Sequence, residues 1–315
     1  MTVKKPSAER IAKYSGRPLS SFSVMRCYRT LLVRPQSFCT AWKFLLTVAY
    51  KFFGIQYLEK FHILRIPVKH VDHELDDRVP FKPAVLRTYL DFINYWLRNI
   101  AMLQCRFGVH EGTTLALEFL RALTTIYHEA FRMYSTCMTT TRQPACKDRA
   151  VKTMRLADPH FLCVPSLHIS IICFTYSFYK MLFVREEFTE EEQLRWNREL
   201  YEHGLEIAES VLYLKQHSVN CIPAALYLVT KVFPGLFPPP AATGFINDLF
   251  RTADDIPEDD KKAIREHISF IYERFLLEGA AEDDWREPII RWLDSYQPYG
   301  TDSKIHNFPK TSCPH

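Results

Sequence analysis

The chain has 315 residues and a formal net charge of +4, with 40 Lys and Arg residues against 36 Asp and Glu residues. The two signs are interspersed, so no basic surface of the kind that binds nucleic acid is indicated. Only 9 residues are glycine and 47% are hydrophobic, and apolar residues recur at helical spacing over long stretches. We therefore predict an all-α protein, a helical bundle with a C-terminal helical extension.

The nine cysteines indicate a reducing compartment. Their number is odd, most lie within apolar helical stretches, and no Cys-x-x-Cys occurs. Buried, reduced thiols in a cytoplasmic protein are expected rather than a disulfide framework. Residues 1–19 contain no apolar segment typical of a secretory signal.

The chain divides into four segments by composition. Residues 1–20 are rich in Lys and Arg and are predicted to be a disordered basic tail, with a peripheral membrane contact as the alternative. The helical bundle is predicted over 21–236, and a proline-rich linker then leads into the helical extension, 237–300. Residues 301–315 are predicted to be a second disordered tail.

The apolar pattern predicts the helices in chain order. One or two helices are expected between Val24 and Phe61, broken near Pro35 and Gly54. Thr189 and Glu192 form a capping-box pattern at the start of another helix. That helix is predicted to run to about Tyr213. The remaining predicted helices are Pro83–Leu103, Thr113–Tyr134, one beginning at Pro165, Ser218–Val232, Pro257–Leu277 and a short one at Ile289–Trp292.

Only one uncharged run, Pro159–Tyr179, is long enough to cross a bilayer. Two prolines and two histidines interrupt it, so we interpret it as a buried core helix, with a membrane span around 159–184 as the alternative. The other long apolar segments carry charged residues at regular intervals, as helices that bury one face in a soluble core do. The sequence therefore favours a cytoplasmic protein that is soluble or peripheral at the membrane.

The stretch from Asp158 to Tyr176 carries the first candidate functional residues. Pro165 and Ser166 are typical of a helix start, since proline is tolerated in the first turn and serine caps it. His168 then lies in the first turn of the helix. Free N–H groups and a partial positive charge at this end suit it to binding phosphate.

Two other segments contain candidate ligand groups. The polar loop Met138–Pro144 contains Arg142, whose planar guanidinium is a natural partner for phosphate oxygens, and Lys152 and Arg155 are rivals for that role. The segment His70–Pro83 combines histidines with carboxylates. It is either a metal site or a polar, capped loop before a helix, and we favour the loop.

The last candidate stretch, Ser210–Cys221, contains Lys215, Gln216 and His217 at the end of a predicted helix. Two imidazoles, His168 and His217, are suited to nucleophilic and acid–base roles near neutral pH. Arg142 and Lys215 could supply positive charge around a phosphoryl group. No metal ion or other cofactor is needed for this chemistry.

Taken together, these stretches resemble the type 2 phosphatidic acid phosphatase and vanadium haloperoxidase superfamily. Pro165-Ser166-Leu167-His168 resembles its second signature, Arg142 the arginine of its first, and Ser210–Cys221 its third. Leu75–Pro83 resembles a structural segment of the inositol-phosphotransferase branch, and the resemblance covers about residues 70–225. It implies that His217 attacks phosphorus, that His168 protonates the leaving oxygen and then activates water, and that Arg142, Lys215 and Ser166 bind the phosphate.

The chain departs from the family pattern at several positions. Gln143 separates Arg142 from its proline, no lysine lies upstream at the usual distance, and Val211 replaces a threonine. Most importantly, Cys221 stands where the family has the Asp that orients the nucleophilic histidine. In an unrelated triad, loss of the corresponding carboxylate function costs about 10⁴ in rate. Asp158 is a conceivable replacement.

Three functions follow from this resemblance. The first is a phosphatase or phosphotransferase acting on a phosphate ester, either a small molecule or a lipid phosphate. The second is a catalytically impaired member that binds phosphate or an anionic lipid headgroup. The third is a vanadate-dependent peroxidase, which would also lack the Asp for its anchoring histidine. The sequence indicates no oligomeric state.

Overall fold

A computed structural model of the protein describes residues 3–300, and helices make up 69% of it and strands 2%. The all-α prediction is confirmed at this level. The α-helices of the described residues are α1 Ala8–Tyr14, α2 Val24–Val33, α3 Pro35–Val48, α4 Ile55–Lys60, α5 Leu86–Leu90, α6 Phe92–Arg106, α7 Val109–Thr136, α8 Arg149–Ala157, α9 Leu167–Arg185, α10 Glu190–Tyr213, α11 Cys221–Val232, α12 Pro239–Asp248, α13 Glu258–Glu278 and α14 Glu287–Ser295.

Helix α9 is the centre of the bundle and packs against α7, α10 and α11. Its sequence is apolar on every face, so it is stable in water only when other helices cover it on all sides. Ile169, Phe174, Tyr179 and Phe183 are all fully buried. The helix expected to begin at Pro165 is therefore the core helix, with Ser166 as its N-cap.

Local signals predicted several helix ends well. The Thr189 hydroxyl accepts the backbone N–H of Glu192, and the Glu192 carboxylate accepts the backbone N–H of Thr189. The capping box at the start of α10 is therefore present. The predicted helix Pro83–Leu103 is instead divided. It begins with a 3₁₀ turn, Pro83–Val85, followed by α5 and α6 with a break at Asp91.

The N-terminal segment differs from the expected disordered tail. Residues 3–20 are described and include α1, which packs against α6. The Arg10 guanidinium donates to the carbonyl of Cys105 at 2.8 Å, and the Trp196 indole donates to the carbonyl of Arg17 at 2.9 Å. These contacts attach the segment to two helices of the bundle, which its composition did not indicate.

Helices α3 and α4 form one continuous helix, Pro35–Lys60, because a π-helical turn at Ala49–Gly54 joins them. The break expected near Pro35 is present, since α2 ends at Val33 and Pro35 begins α3. The break expected near Gly54 is not. The wider turn absorbs the glycine without ending the helix.

Four further short elements were not predicted. Strand β1, Val68–His70, pairs in parallel with β2, Met138–Thr140, with Val68 opposite Met138. Helix α8 follows the Arg142 loop, and α12 occupies part of the expected linker. The two strands hold the Arg142 loop beside the segment that carries Asp72.

The C-terminal extension packs on the bundle as predicted, with α13 against α11. The Thr230 and Tyr272 hydroxyls are 2.8 Å apart across this contact. The chain then returns to the Arg142 loop, where the Tyr296 hydroxyl and the Tyr299 N–H donate to the carbonyl of Asp72. The predicted tail 301–315 lies outside the described residues.

Two of the described helices are long and apolar enough to cross a membrane by length and composition alone. They are Leu167–Arg185, with 72% of its apolar 18-residue window buried, and Pro35–Lys60, with 22% of its window buried. The first is the core helix. The second was not identified from its sequence, because its uncharged runs are short.

Candidate functional site

The fold brings the two predicted catalytic histidines together. His168 lies in the first turn of α9, and His217 lies in the turn between α10 and α11. Their ring centroids are 5.6 Å apart with the planes at 68°. Both rings line one narrow cleft of about 20 Å³, which is room for about one water molecule.

His168 is packed among aromatic rings. The ring centroids of Tyr89 and Phe92 lie 4.9 and 4.5 Å from its imidazole. Burial, together with the neighbouring His217, lowers the pKa of His168 to about 3. The imidazole is therefore neutral near pH 7, and a bound phosphate anion would raise this pKa again.

His217 is 8% exposed, and it has no carboxylate partner among residues 3–300. Its Nδ1 atom is buried and makes no hydrogen bond within these residues. Asp158 lines the same cleft, but its carboxylate accepts the backbone N–H of His160 at 3.0 Å. The conceivable replacement for the missing Asp is thus nearby and engaged elsewhere.

Two thiols lie beside His217. Cys221 is fully buried at the start of α11, and Cys163 precedes α9. Their sulfur atoms and one ring nitrogen of His217 all lie within 4.8 Å of one another. Cys163 also lies 3.7 Å from Nε2 of His160, whose ring is 3.0 Å from the Thr141 hydroxyl.

These neighbours shift the pKa values of the two thiols in opposite directions. Burial tends to raise the pKa of Cys163, but the hydrogen bond from Cys221 and the adjacent His160 and His217 outweigh it and lower the pKa well below its usual value. Burial and the neighbouring Cys163 raise the pKa of Cys221 well above its usual value. Cys163 is therefore the more acidic thiol of the pair, and its sulfur also lies 3.8 Å from the carbonyl oxygen of Gln216.

The Cys163, Cys221 and His217 cluster is also the set of residues that could hold a metal ion. Two thiolates and an imidazole suit a thiophilic ion such as Zn²⁺. Two sulfurs bound tetrahedrally at about 2.3 Å from zinc are roughly 3.8 Å apart, so small side-chain movements would close the cluster around an ion. An ion there would occupy a nitrogen of His217.

A second, wider cleft of about 350 Å³ opens on the other side of His217. Arg142 and Lys215 line it together with Asp72, Asp76 and Asp77. The site thus has a narrow side with His168 and the thiols, and a wide side with the charged groups. We refer to them as the narrow cleft and the wide cleft.

The cations of the wide cleft already have partners. Arg142 donates its backbone N–H to Asp72 Oδ1 at 2.6 Å, and its Nε lies 3.4 Å from the same oxygen. Lys215 Nζ donates to the backbone carbonyls of Asp76 and Val79. Arg142 remains 44% exposed in its side chain and faces solvent, whereas Lys215 is held in place.

The segment Leu75–Pro83 has the structural role that we expected. Asp76 Oδ1 accepts the N–H of Val219 at 2.8 Å, and Lys82 donates its backbone N–H to the carbonyl of Tyr213. Together with the bonds from Lys215, these contacts fix the turn that carries His217. This segment thus positions the nucleophile candidate, and the metal alternative has no support in these contacts.

The remaining candidates lie away from the clefts. Ser166 is fully buried, and its hydroxyl accepts the N–H of Ile169, so it caps α9. Arg155 donates to the carbonyls of Pro144 and Leu214 and braces the Arg142 loop. Lys152 is exposed on α8 and lines neither cleft. Of the three cations proposed for the first-signature role, Arg142 alone lines a cleft beside His217.

Sequence reasoning missed three residues of the site. His160 and Cys163 lie in Asp158–Tyr176, and Gln216 lies in Ser210–Cys221, but none of the three was assigned a role from the sequence. The Gln216 amide lines the narrow cleft, and neither of its polar atoms has a partner in the described part of the chain. The usable signal was a histidine and a cysteine three residues apart, immediately before the helix start.

Comparison of the chain with family models, with curated proteins and with solved structures finds no match.

Proposed function

We propose that the protein transfers or hydrolyses the phosphoryl group of a phosphate ester through a phosphohistidine formed on His217. The observation that carries this proposal is the 5.6 Å approach of the His217 and His168 rings across one cleft. The two residues come from segments almost 50 positions apart, and each was singled out from its own sequence context. A nucleophile and an acid–base group at this separation are what covalent phosphoryl transfer requires.

The chemistry proceeds in two steps. His217 forms a bond to phosphorus while the ester P–O bond breaks, and His168 gives a proton to the departing alcohol oxygen. In the second step a water molecule attacks the phosphohistidine, His168 takes a proton from that water, and the N–P bond breaks to release phosphate. Transfer to a second alcohol in place of water would make the protein a phosphotransferase.

The two clefts meet different requirements of the proposed reaction. The narrow cleft has room for about one water molecule, so the phosphate ester must enter from the wide cleft, which His217 also lines, and its phosphoryl group must then reach the space between His217 and His168 for His168 to protonate the leaving oxygen. There the exposed Arg142 guanidinium can bind two phosphate oxygens at once. The unpartnered Gln216 amide offers a further donor beside the two histidines.

The arrangement also supports a slow enzyme. A nucleophilic imidazole needs a partner on its other nitrogen to stabilise the cation that forms, and Nδ1 of His217 has none among residues 3–300. In an unrelated triad, loss of that function costs about 10⁴ in rate. The same observation favours the second candidate function, binding of phosphate or an anionic lipid headgroup without turnover.

The test is trapping of the phosphoenzyme with a ³²P-labelled ester, beside steady-state hydrolysis of an aryl phosphate between pH 5 and 8. Label that is stable to base and labile to acid, and absent in His217→Ala, is the expected result. The matched control is His110→Ala, since His110 is exposed and lines neither cleft. Turnover that persists in His217→Ala would refute the proposal.

The binding alternative predicts a different result. Phosphate or vanadate would bind to the wild-type protein in calorimetry, binding would fall in Arg142→Ala, and no labelled protein would form. Absence of both turnover and binding would eliminate both functions.

A further inference from the structure

The continuous helix Pro35–Lys60 has an apolar surface on two opposite sides. Its inner side, including Ala41, Phe44 and Ile55, is buried, and α3 packs against α7. The Phe44 ring meets Trp96 and Tyr127 edge-on, each at 5.7 Å. This side is part of the ordinary core.

The outer side is also apolar and remains partly exposed, although the Tyr50 ring lies 5.9 Å from Phe131 of α7 and the Trp42 indole donates to the carbonyl of Leu32 at 3.3 Å. Its residues recur every three or four positions and lie along one stripe, which we call the outer stripe. Its members are Phe38, Trp42, Leu45, Leu46, Tyr50 and Phe53, with exposures of 37% to 64%. A helix that is apolar on both sides is typical of one with a second apolar environment outside the bundle.

The neighbouring segments enlarge this surface. Met25 and Val33 on α2 are 65% and 74% exposed, and Phe61 and Ile63, which follow α4, are each 67% exposed. The exposed apolar residues of the protein are thus concentrated around one helix.

The charge of this region indicates what the surface meets. Residues 24–65 contain seven Lys and Arg residues and one acidic residue, although the whole chain has 40 basic and 36 acidic residues. The acidic residue is Glu59, which is buried and accepts the backbone N–H of Ile66 at 2.9 Å. The basic residues are Arg26, Arg29, Arg34, Lys43, Lys51, Lys60 and Arg65.

We propose that the outer stripe docks on the surface of a bilayer that contains anionic lipids, with Pro35–Lys60 lying in the plane of the membrane. An amphipathic helix with aromatic and aliphatic residues on its lipid side and flanking Lys and Arg residues binds in this way. The inner side remains packed on α7, so the helix cannot be surrounded by lipid. Trp42 and Tyr50 suit the boundary between headgroups and acyl chains.

Docking in this orientation brings the candidate site to the membrane. Phe52 and Gln56 of the same helix line the narrow cleft beside His168. The Phe52 ring is in contact with Phe53 of the outer stripe, with centroids 4.9 Å apart. The cleft wall and the lipid-facing side therefore meet at two consecutive residues, Phe52 and Phe53. Docking itself stands on the helix and its charge and does not depend on the proposed function.

The test is co-sedimentation of the full chain with phosphatidylcholine vesicles, with and without phosphatidylserine. Binding is expected with phosphatidylserine and should weaken as salt is raised. The double variant Phe38→Glu with Leu46→Glu should bind at least tenfold more weakly, by an order-of-magnitude estimate from the apolar area withdrawn from lipid. The matched control is Phe270→Glu with Leu277→Glu, two residues that are 65% and 78% exposed on α13.

Three results would overturn the proposal. One is equal binding by the two double variants, and another is no binding of the wild-type chain to either vesicle. The third is a wild-type dimer, seen by analytical ultracentrifugation, that the outer-stripe variant converts to monomer without any vesicle binding, since the stripe would then join two copies. Hydrolysis of a soluble aryl phosphate should be the same in all variants, so failure of docking is distinguishable from failure of the proposed function.

Discussion

The two sides of His217 differ in what they contain and in how tightly they are closed. The narrow cleft holds His168, Cys163 and Gln216 around about 20 Å³, and the wide cleft holds charged side chains around about 350 Å³. The narrow cleft contains reactive side chains but has room for only about one water molecule. The wide cleft is larger, but its cations already have hydrogen-bond partners. Under the proposed function neither side is sufficient alone, and His217, which lines both clefts, is the residue that joins them.

The largest expected effect comes from restoring a carboxylate on the narrow side. Cys221→Asp places a carboxylate, one bond longer than the thiol, beside His217, and we expect it to raise aryl phosphate turnover by up to about 10⁴. The measurement is the steady-state rate, with labelling of His217 as a second readout. Cys221→Asn is the control, because it has the same size without the charge. A folded Cys221→Asp variant with unchanged turnover would show that the missing Asp is not what limits the rate.

Removal of the second histidine should have the next largest effect. His168→Ala should lower turnover by about 10²–10³, since general acid–base catalysis contributes that order of magnitude. The phosphoenzyme should still form from an ester with a good leaving group, because such a group departs without a proton. Its hydrolysis should be slow, so labelled protein should accumulate. Equal loss of labelling and turnover would assign His168 to binding instead.

Binding of a metal ion to the cluster of Cys163, Cys221 and His217 tests the role of the narrow cleft separately from that of the wide cleft. Zn²⁺ should inhibit turnover, because it takes a nitrogen of His217, and a chelator should restore it. Cys163→Ser should weaken the inhibition at least tenfold, on the order of one lost ligand's contribution. Cys173→Ser is the control, since Cys173 is a buried cysteine on α9 outside the cluster. Inhibition that is equal in both variants would locate the ion elsewhere.

The narrow side shows how far sequence reasoning reaches. A proline, a serine and a regular apolar stripe are local signals, so the start of α9 and the position of His168 were predictable. The approach of Cys163 to Cys221 was not, because it joins positions 58 residues apart through the packing of α9 on α11. Its consequence, a second thiol beside Cys221 and His217, is visible only in the assembled structure.

The wide side was less predictable still. Its loop is held by two three-residue strands, which are too short to show an alternating pattern. The C-terminal end of the described chain also contacts this loop, where the Tyr299 ring lies 5.6 Å from the Arg142 guanidinium. Nothing in the composition of 237–300 indicated that this extension returns to the site. The choice of Arg142 over Arg155 likewise needed the observed cleft.

The assignment of phosphate binding to Arg142 rather than to Arg155 gives the prediction for the wide cleft. Arg142→Ala should raise the KM for an aryl phosphate about tenfold, the order expected for one lost charge-assisted interaction, and should change kcat less. Arg155→Ala should change KM less, since that guanidinium donates to the carbonyls of Pro144 and Leu214. The measurement is the pair of kinetic constants for both variants. A larger KM effect from Arg155→Ala would reverse the assignment.

The smallest expected effect concerns Asp76, which lines the wide cleft and accepts the N–H of Val219 beside the His217 turn. Burial raises its pKa from 3.8 to about 6, and the hydrogen bonds from His73, Val219 and Ser218 do not outweigh it. The native carboxyl therefore holds its proton more tightly than the unfolded one, so this group contributes stability below about pH 4 that is lost as the pH rises to about 6. His168 and His267, with lowered pKa values, have the opposite sign, so the wild-type curve alone does not isolate Asp76.

Comparison with Asp76→Asn isolates the contribution. The amide does not titrate, so the free energy of unfolding of the variant, relative to wild type, should improve by about 2–3 kcal/mol between pH 4 and pH 7. The loss of one backbone hydrogen bond is the same at every pH and shifts the difference without changing its trend. The measurement is urea unfolding at several pH values, with exposed Asp77→Asn as the control. A flat difference would mean that water reaches Asp76 from the wide cleft, and the two sides of His217 would then differ in size but not in polarity.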